Sequence, residues 1–476
     1  MITNDFEKNG DTKMNSSEKV QTTNSENQKR QEQKFRQMTE TPVNSLILKL
    51  SIPTILSMLI TTIYNMADTY FVGKISTQAT GAVGISFSVM AILQAVGFFF
   101  GHGSGNYISR MLGRRDTRHA EGMAIYGLVV CFISGIVIGA LGLIFLTPLS
   151  TLLGSTETIL PYTKNYLGII LLATPFTMSS FVLNNQLRFQ GRASMAMVGI
   201  VTGGVLNIIL DPIFIFSFKL GIKGAALATI TGQIISFLIL LTMSLKKGSI
   251  NLSLKNLSIN RFYLLEVTRG GFPSLCRQGL GSVATICLNH SAAIYGDAAI
   301  AAMSVVTRII LFANSALIGF GQGFQPVCGY NYGAKLYKRV SDGFIFCVKY
   351  SFIFLLCVAL AFFSFPDTLI GFFRDDAEVI KIGAVALKFQ CITLPLSSFI
   401  VLSNMMLQSM GLAKKATIVA SAKQGLFFIP LILILPRFFG LTGVEICQMV
   451  SDICSFCLTL PISLSVLREL KRGQAV

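Results

Sequence analysis

The sequence has little charge and few of the side chains on which enzymes rely. Charged residues make up 13% of the 476 positions, against about 25% in soluble domains, and the chain has three histidines and no tryptophan. It contains no G-x-x-x-x-G-K-[ST] segment, the phosphate-binding loop of nucleotide hydrolases, and no Ser/His/Asp or Cys/His grouping. These shortages exclude a soluble enzyme, a nucleic-acid-binding protein and a secreted disulfide scaffold. We expect no enzymatic activity and no nucleotide or nucleic-acid partner.

Apolar sequence is abundant, with 52% hydrophobic residues and a mean hydropathy of +0.65. Twelve apolar runs are separated by short polar stretches, and each has about the 20 residues that cross a bilayer as a helix. They lie at about 46–72, 80–106, 120–146, 160–186, 194–217, 222–245, 269–294, 299–328, 341–364, 379–409, 414–436 and 440–466. The pattern predicts an all-α polytopic membrane protein with twelve transmembrane helices.

Lysine and arginine are distributed unevenly between the loops that join these runs. Loops after even-numbered runs hold fifteen of them, and loops after odd-numbered runs hold five, namely Lys74, Lys219, Lys223, Arg374 and Arg437. Cytoplasmic loops are the ones enriched in basic residues. We therefore predict a multi-pass protein of the cell inner (plasma) membrane with both termini in the cytoplasm.

The two halves of the chain repeat one another at a fixed distance of 220 residues. The segment Phe-Gly-His-Gly at 100–103 returns as Phe-Gly-Gln-Gly at 320–323, and Gly191 corresponds to Gly411. Parallel repeats of six spans are related by an axis along the membrane normal, so we expect two parallel-repeat six-helix bundles around a central cleft. The predicted parts are a disordered polar cytoplasmic tail (1–45), an N-lobe with spans 1–6 (46–250), a cytoplasmic inter-lobe linker (251–262), a C-lobe with spans 7–12 (263–470) and a C-terminal tail (471–476).

Two acidic residues lie inside spans of the first half, where an ionisable group costs several kcal/mol unless it is paired or faces water. They are Asp68, late in span 1, and Asp211, late in span 5, and Asn207 shares a helical face with Asp211. Pro212 removes a backbone donor and frees a carbonyl nearby. Carboxylate, amide and carbonyl oxygens suit a small cation or a shared proton. The alternative is that each aspartate merely lies at the membrane interface, with Asp211 capping its span.

The second half has no acid at the positions that correspond to Asp68 and Asp211. Its mid-span ionisable residues are mostly basic, namely Arg277, Arg308, Lys349, Lys388, Lys423 and Asp452. A cation site is therefore expected in the first half only. Lys423 and Asp452 are expected to form a structural ion pair between adjacent spans.

The segment Ala-Asp-Thr-Tyr-Phe-Val-Gly at 67–73, the motif Asn207-x-x-x-Asp211-Pro212 and the two six-span halves resemble the multidrug and toxic compound extrusion (MATE) family. The nearest match is its MepA-like bacterial branch, and the resemblance covers about residues 45–465. It implies two bundles around a V-shaped cleft that export cationic, amphipathic drugs against inward-moving H⁺ or Na⁺. We expect a monomer whose partners are such drugs and the lipid bilayer, with no cofactor beyond the coupling ion.

The resemblance also assigns residues. Asp68, Asn207 and Asp211 would hold the coupling ion, including Na⁺ if sodium is that ion. Another branch of the family has acids in the second bundle, and their absence here argues against that coupling scheme. Neither the substrates nor the drug-pocket residues follow from the sequence. The residues assigned to cation or proton binding are Asp68, Asp211, Asn207, Thr229, Asn184 and Tyr166.

Two other functions compete with this reading. A flippase for a lipid-linked precursor would share a related architecture and need a cationic cleft, and Arg277 and Arg308 keep this alternative open. A membrane-embedded enzyme or a channel is disfavoured, because no catalytic cluster is visible and a two-bundle repeat fits alternating access better than a fixed pore. We therefore predict a secondary active multidrug efflux antiporter.

Overall fold

The computed structural model describes residue 29 and residues 31–246, 248–258 and 260–473. Within these residues the chain is helical and contains no strand, so the all-α prediction is confirmed. In chain order the helices are α1 (31–40), α2 (Val43–Gly73), α3 (Thr77–Gly113), α4 (Thr117–Ile144), α5 (Leu146–Leu152), α6 (Leu160–Leu172), α7 (Thr174–Phe189), α8 (Ala193–Pro212), α9 (Ile222–Ser244), α10 (Arg261–Ala293), α11 (Asp297–Gly333), α12 (Tyr337–Ser364), α13 (Pro366–Phe373), α14 (Ala377–Thr393), α15 (Leu396–Met410), α16 (Ala413–Ser421), α17 (Ile429–Phe439) and α18 (Leu441–Lys471). Two π-helical segments, Ile213–Ser217 and Ala422–Phe428, continue α8 and α16.

The number of membrane-spanning helices agrees with the prediction of twelve. Nine helical segments of the described chain are long and apolar enough to cross a membrane, and the bent pairs α6/α7 and α14/α15 bring the number to eleven. Helix α10 is the twelfth, with 33 residues, or about 50 Å at 1.5 Å per residue. It is more polar than the others because Arg277, Gln278, Asn289 and His290 lie along it in addition to the charged residues of its first turns.

Two of the predicted spans are bent rather than straight. Helices α6 and α7 meet at 53°, and helices α14 and α15 meet at 56°. Pro175 and Pro395 lie at these breaks, and proline cannot donate the backbone hydrogen bond that a straight helix requires. The two prolines are 220 residues apart, so the bend belongs to the internal repeat.

Equivalent hydrogen bonds also repeat in the two halves. Asn184 Nδ2 donates to the Ala196 carbonyl over 3.0 Å, and Asn404 Nδ2 donates to the Ala416 carbonyl over 2.7 Å. Both residues of the second pair lie 220 positions after those of the first. The same local structure therefore forms twice, as two parallel repeats require.

Several helices extend beyond the apolar runs into polar sequence. Helix α10 begins at Arg261, inside the predicted linker 251–262, because Asn260 caps it: Asn260 Oδ1 accepts from the Phe262 N–H over 3.1 Å. Within the predicted disordered tail, residues 31–40 form α1 instead, since Met38 is fully buried in the hydrophobic core. Residues 1–28 of that tail lie outside the described residues.

The two lobes, α2–α9 and α10–α18, are in close contact at one end of the molecule. We call it the packed end, and it carries the loops 114–116, 190–192, 334–336 and 411–412. There α3 packs on α10, and α2 packs on α11. A Cβ on Gly271 would lie 2.1 Å from the Phe99 carbonyl oxygen, and one on Gly103 would lie 2.4 Å from the Val267 carbonyl oxygen. The lobes therefore touch backbone to backbone.

Large apolar side chains cover the outside of both lobes. More than half of the side-chain surface is exposed at residues such as Ile133, Phe145, Leu172, Ile286 and Phe365. Soluble monomers rarely expose contiguous apolar surface on this scale, whereas lipid accommodates it. With its spanning helices, this surface identifies a multi-pass membrane protein.

Candidate functional site

The site is organised by a contact between two glycines of α8 and α9. A Cβ on Gly203 would lie 2.8 Å from the Gly232 carbonyl oxygen, and one on Gly232 would lie 2.7 Å from the Gly203 carbonyl oxygen. Small residues allow helices in membranes to approach this closely. Asn207 lies one turn after Gly203, and Thr229 lies about one turn before Gly232, so the crossing brings these two polar side chains together.

Asn207, Thr229 and Asp211 form one hydrogen-bonded group. Asn207 Nδ2 donates to Asp211 Oδ1 over 3.3 Å and to Thr229 Oγ1 over 3.4 Å. Asp211 is fully buried, and the other two are nearly so. Asn207 Oδ1 and Asp211 Oδ2 are buried without a hydrogen-bond partner. A buried polar atom without a partner is costly, and a cation or a proton at these two oxygens would remove that cost.

Asp68 reaches this group from α2. Helix α2 packs on α8 at Gly204, where a Cβ would lie 3.1 Å from Tyr64 Cδ1. Asp68 is one turn after Tyr64, and Asp211 is about two turns after Gly204, so the two carboxyl groups converge. Both carboxyl groups therefore lie in one region of the N-lobe, where like charges repel each other if both are ionised. Asp68 Oδ1 is also buried and has no hydrogen-bond partner.

Tyr166 completes the group from α6. Its side chain is entirely buried and lies beside Thr229, Asp68 and Asp211, although its hydroxyl makes no hydrogen bond of normal geometry. A phenol hydroxyl can donate to a carboxylate or offer its oxygen to a cation. Tyr166 therefore adds a fourth oxygen without a partner to those of Asp68, Asn207 and Asp211.

Pro212 ends the α-helical part of α8 directly after Asp211. The chain continues as the π-helical segment Ile213–Ser217, in which the Phe218 N–H donates to the Ile213 carbonyl over 2.9 Å. Because proline has no N–H, the carbonyl of Ile208 loses its helical donor. The lost donor is predicted from the sequence, whereas the π-helical turn, a feature frequent at functional sites, is not.

Five of the six residues predicted for cation or proton binding come together, and one lies apart. The group contains Asp68, Asp211, Asn207, Thr229 and Tyr166. Asn184 instead donates to the Ala196 carbonyl near the packed end, and Ala196 precedes Asp211 by 15 residues of helix, or about 22 Å. Asn184 therefore joins α7 to the start of α8. Ion binding by the other five residues stays a prediction.

Tyr64 and Gln233 join the group although the sequence analysis does not single them out. Tyr64 lies beside Asp68 and Gln233, and both line two adjoining cavities of about 70 and 30 Å³ that also reach Thr229. Tyr64 comes four residues before Asp68, and Gln233 comes four residues after Thr229. Residues four apart share a helix face, so this spacing is the signal from which they could be predicted.

The chemistry of the group is that of hard oxygen ligands. Two carboxylates, an amide and two hydroxyls suit a monovalent cation or an exchangeable proton. Among the described residues, no three His, Cys, Asp or Glu side chains lie together as ligands of a metal centre.

In the C-lobe, the carboxylate of Asp452 forms an ion pair. Lys423 Nζ lies 3.3 Å from Asp452 Oδ1 and donates to Ser397 Oγ over 2.8 Å. Gln448 Nε2 donates to Asp452 Oδ1 over 2.8 Å. The expected pairing of Lys423 with Asp452 is confirmed, and the carboxylate is neutralised by a cation of the chain itself.

Removing one partner of this ion pair is expected to destabilise the protein more than removing both. Lys423→Met or Asp452→Leu alone leaves one buried charge without its counter-charge, at about 3–5 kcal/mol. The double variant replaces both charges by apolar side chains of similar volume, which is often neutral. Thermal unfolding of the purified variants is the measurement, and both single variants should have a lower Tm than the double variant. A double variant less stable than either single one would contradict this interpretation.

Comparison with known protein families gives an independent result. A family model described as MatE matches residues 53–213 and residues 273–434. One match falls in each lobe, and the two matches begin 220 residues apart, the same distance as the internal repeat.

Individual relatives and solved structures match over most of the chain. The multidrug export protein MepA of Staphylococcus saprophyticus is 30% identical over 424 residues, which cover 88% of this chain and 93% of the relative. MepA of Staphylococcus aureus is 30% identical over 410 residues, covering 85% and 90%. A solved structure of a multidrug resistance MATE family transporter of the MOP superfamily, in an outward-facing conformation, matches with a TM-score of 0.87 at 25% identity, covering 92% of this chain and 98% of that one.

Proposed function

Because this chain belongs to the MatE family of multidrug efflux transporters, we propose that it is a secondary active antiporter that exports cationic, amphipathic compounds in exchange for H⁺ or Na⁺. The observation that carries this proposal is the group of four buried oxygens without partners, on Asp68, Asn207, Asp211 and Tyr166. They converge from three helices of one lobe, and two of them are carboxylate oxygens. Such a group is a place for an ion that binds and leaves.

The energetics of two buried carboxylates explain how an ion is exchanged. A charge inside the membrane costs several kcal/mol unless it is paired or faces water, and Asp68 and Asp211 also repel each other if both are ionised. A bound Na⁺, or a proton on one carboxyl, reduces both the cost of the unpaired charge and the repulsion between the two carboxylates. Coupling then requires only that ion and drug have different affinities for the two conformations of the transporter.

Alternating access follows from where the lobes touch. We place the packed end in the cytoplasm, because the loops there are rich in Lys and Arg. In this conformation the ion group is then reached from outside. Rocking of the lobes would open the packed end and expose the ion and the drug to opposite sides of the membrane in turn.

The drug binds elsewhere than in the cavities beside the ion group. Those cavities measure about 70 and 30 Å³, whereas pockets for drug-sized ligands measure roughly 300–1,000 Å³. The cleft between the lobes is the place of sufficient size. The substrate class rests on the relatives, which are named multidrug export proteins.

The charge of the drug decides what the membrane potential contributes. Exchange of one H⁺ or Na⁺ for one monocationic drug is electroneutral and gains nothing from the potential, which is worth about 2.3 kcal/mol per charge per 100 mV. An electrogenic cycle requires two ions for each monocationic drug, or a neutral or zwitterionic substrate. Counting charge per turnover therefore determines the stoichiometry.

A flippase for a lipid-linked precursor is less well supported. Its anionic headgroup would require the basic residues of the C-lobe to face the cleft together. Arg277 is instead half-buried and donates to Asn404 Oδ1 over 3.3 Å, and Arg308 is exposed. Together with relatives named for multidrug export, this supports drug export.

Dye efflux from proteoliposomes tests the proposal. The purified full-length chain is reconstituted with a fluorescent cationic dye, and a pH gradient or a Na⁺ gradient is imposed separately. We expect dye movement under one of the two gradients and its loss when an ionophore collapses that gradient, which also identifies the coupling ion. Dye movement at the same rate without either gradient would contradict antiport.

A further inference from the structure

Helix α1 crosses the packed end and is bonded to both lobes. On the N-lobe side, Lys34 Nζ donates to the Gly191 carbonyl over 2.7 Å. On the C-lobe side, Asn331 Nδ2 donates to the Met38 carbonyl over 3.1 Å. Since one short helix is anchored to both lobes, it acts as a strap, and any separation of the lobes at the packed end must break one of these attachments.

A cavity of about 270 Å³ lies between this strap and the lobes. Its wall includes Glu32 and Lys34 of α1, Arg115, Arg192 and Ser249 of the N-lobe, and Tyr330 of the C-lobe. The volume is several times the roughly 30 Å³ that a water molecule occupies. Helices end or begin around the cavity at Gly113, Thr117 and Phe189, so it lies at the packed end.

Among the described residues that line this cavity, positive side chains outnumber negative ones. Lys34, Arg115 and Arg192 contribute three cations, and Glu32 contributes one carboxylate. Glu32 already forms ion pairs with Arg36 over 3.4 Å and with Arg115 over 3.2 Å. Burial, together with repulsion from Arg192 and Lys49, lowers the pKa of Lys34 to about 8.

Other contacts hold these cations in place around the cavity. The Arg115 guanidinium lies 4.2 Å from the Phe35 ring centre, and Arg192 NH1 donates to Ser249 Oγ over 2.8 Å. Lys34 is fixed by its bond to Gly191 and by a second bond to Gln37 Oε1 over 3.1 Å. The positive groups therefore surround a space that is already formed, and an entering anion does not have to order three flexible side chains.

We propose that this cavity binds a phosphate-bearing anion, with Lys34, Arg115 and Arg192 as its charge partners. Arginine and lysine are the residues that bind phosphate oxygens by charge-assisted hydrogen bonds. The phosphate group comes either from an anionic phospholipid or from free phosphate. The wall includes residues of α1, of the N-lobe and Tyr330 of the C-lobe. A bound anion therefore holds α1 against both lobes and stabilises the packed end. The proposal does not depend on which drug or coupling ion the protein transports.

Binding of defined probes to the full-length chain tests this site. The purified protein is placed in phosphatidylcholine nanodiscs with and without phosphatidylglycerol, and separately titrated with inorganic phosphate against chloride at equal ionic strength. Native mass spectrometry counts bound lipid, and the shift of Tm reports binding of either probe. The variants are Lys34→Gln, which keeps a donor to Gly191, and Arg192→Gln. Arg118→Gln is the control, because Arg118 is an exposed cation in the first turn of α4 that does not line the cavity.

We expect the wild type to bind the phosphate-bearing probe saturably. Lys34→Gln and Arg192→Gln should each bind it about fivefold more weakly, and Arg118→Gln should bind it as the wild type does. Binding of phosphatidylglycerol alone identifies the lipid as the source, and binding of both probes identifies the phosphate group itself as the ligand. A Tm measured without probe verifies that each variant is folded. Equal binding by the wild type, Lys34→Gln and Arg192→Gln would overturn the proposal, as would the absence of saturable binding of both probes to the wild type.

Discussion

Replacement of Asp68 or Asp211 by asparagine is expected to abolish ion-driven export in a protein that still folds. Asparagine keeps the shape of aspartate and one carbonyl oxygen, but it carries no negative charge and accepts no proton at neutral pH. The coupling ion then loses one of its two charge partners. Loss of 1.4 kcal/mol of this attraction weakens ion binding about tenfold. We therefore expect the rate of dye efflux under an imposed gradient to fall at least about tenfold.

The effect on stability distinguishes a functional role from a structural one. Asp68→Asn and Asp211→Asn each remove one of two like charges from the same region of the N-lobe, so Tm should be unchanged or higher. Glu157→Gln is the matched control, because Glu157 is an exposed acid in a loop of the same lobe, and its export should equal that of the wild type. Full ion-dependent export by both aspartate variants would show that these residues are not the ion site.

A single methyl group at the packed end is expected to have the second large effect. In Gly271→Ala the new Cβ would lie 2.1 Å from the Phe99 carbonyl oxygen, a backbone atom that cannot rotate away. Overpacking costs about 1–3 kcal/mol, which exceeds the up to 1 kcal/mol by which alanine favours a helix over glycine. Helices α3 and α10 must then move apart, so both Tm and dye efflux should fall.

Gly279→Ala provides the comparison within the same helix. A Cβ on Gly279 meets no atom within 4 Å, so this variant gains helix propensity without a clash, and its Tm should equal or slightly exceed that of the wild type. Thermal unfolding of both proteins in the same lipid measures the difference. If the two variants melt at the same temperature, the backbone contact between the lobes is not as close as described.

Features that depend on local composition are predictable from the sequence. The apolar runs predict the spanning helices, because the bilayer sets their length and polarity together. Asp211 and Asn207 are predicted to share a face because four residues make about one helical turn, and the hydrogen bond between them has that geometry. The expected pairing of Lys423 with Asp452 also follows, since a buried charge requires a partner.

Features that depend on how helices cross are not predictable in the same way. The meeting of Asn207 with Thr229 results from the contact of Gly203 with Gly232, and a sequence shows which glycines exist but not which of them touch. Asn184 matches its family position by spacing, yet it follows Tyr166 by 18 residues, or about 27 Å of helix. That distance, together with the bend between α6 and α7, keeps the two residues out of one site.

The glycine contacts between α3 and α10 have a consequence for the speed of transport. Surfaces that interlock through large side chains must extract each of them from its neighbours before they part, whereas two bare backbones separate with no rotamer changes. At Gly103 and Gly271 the lobes meet backbone to backbone, whereas nearby Tyr263 of α10 packs against Tyr107 and Tyr126 of the N-lobe and Glu266 pairs with Arg110 over 3.2 Å. We expect the release of these side chains, rather than of the glycine contacts, to limit how fast the lobes separate.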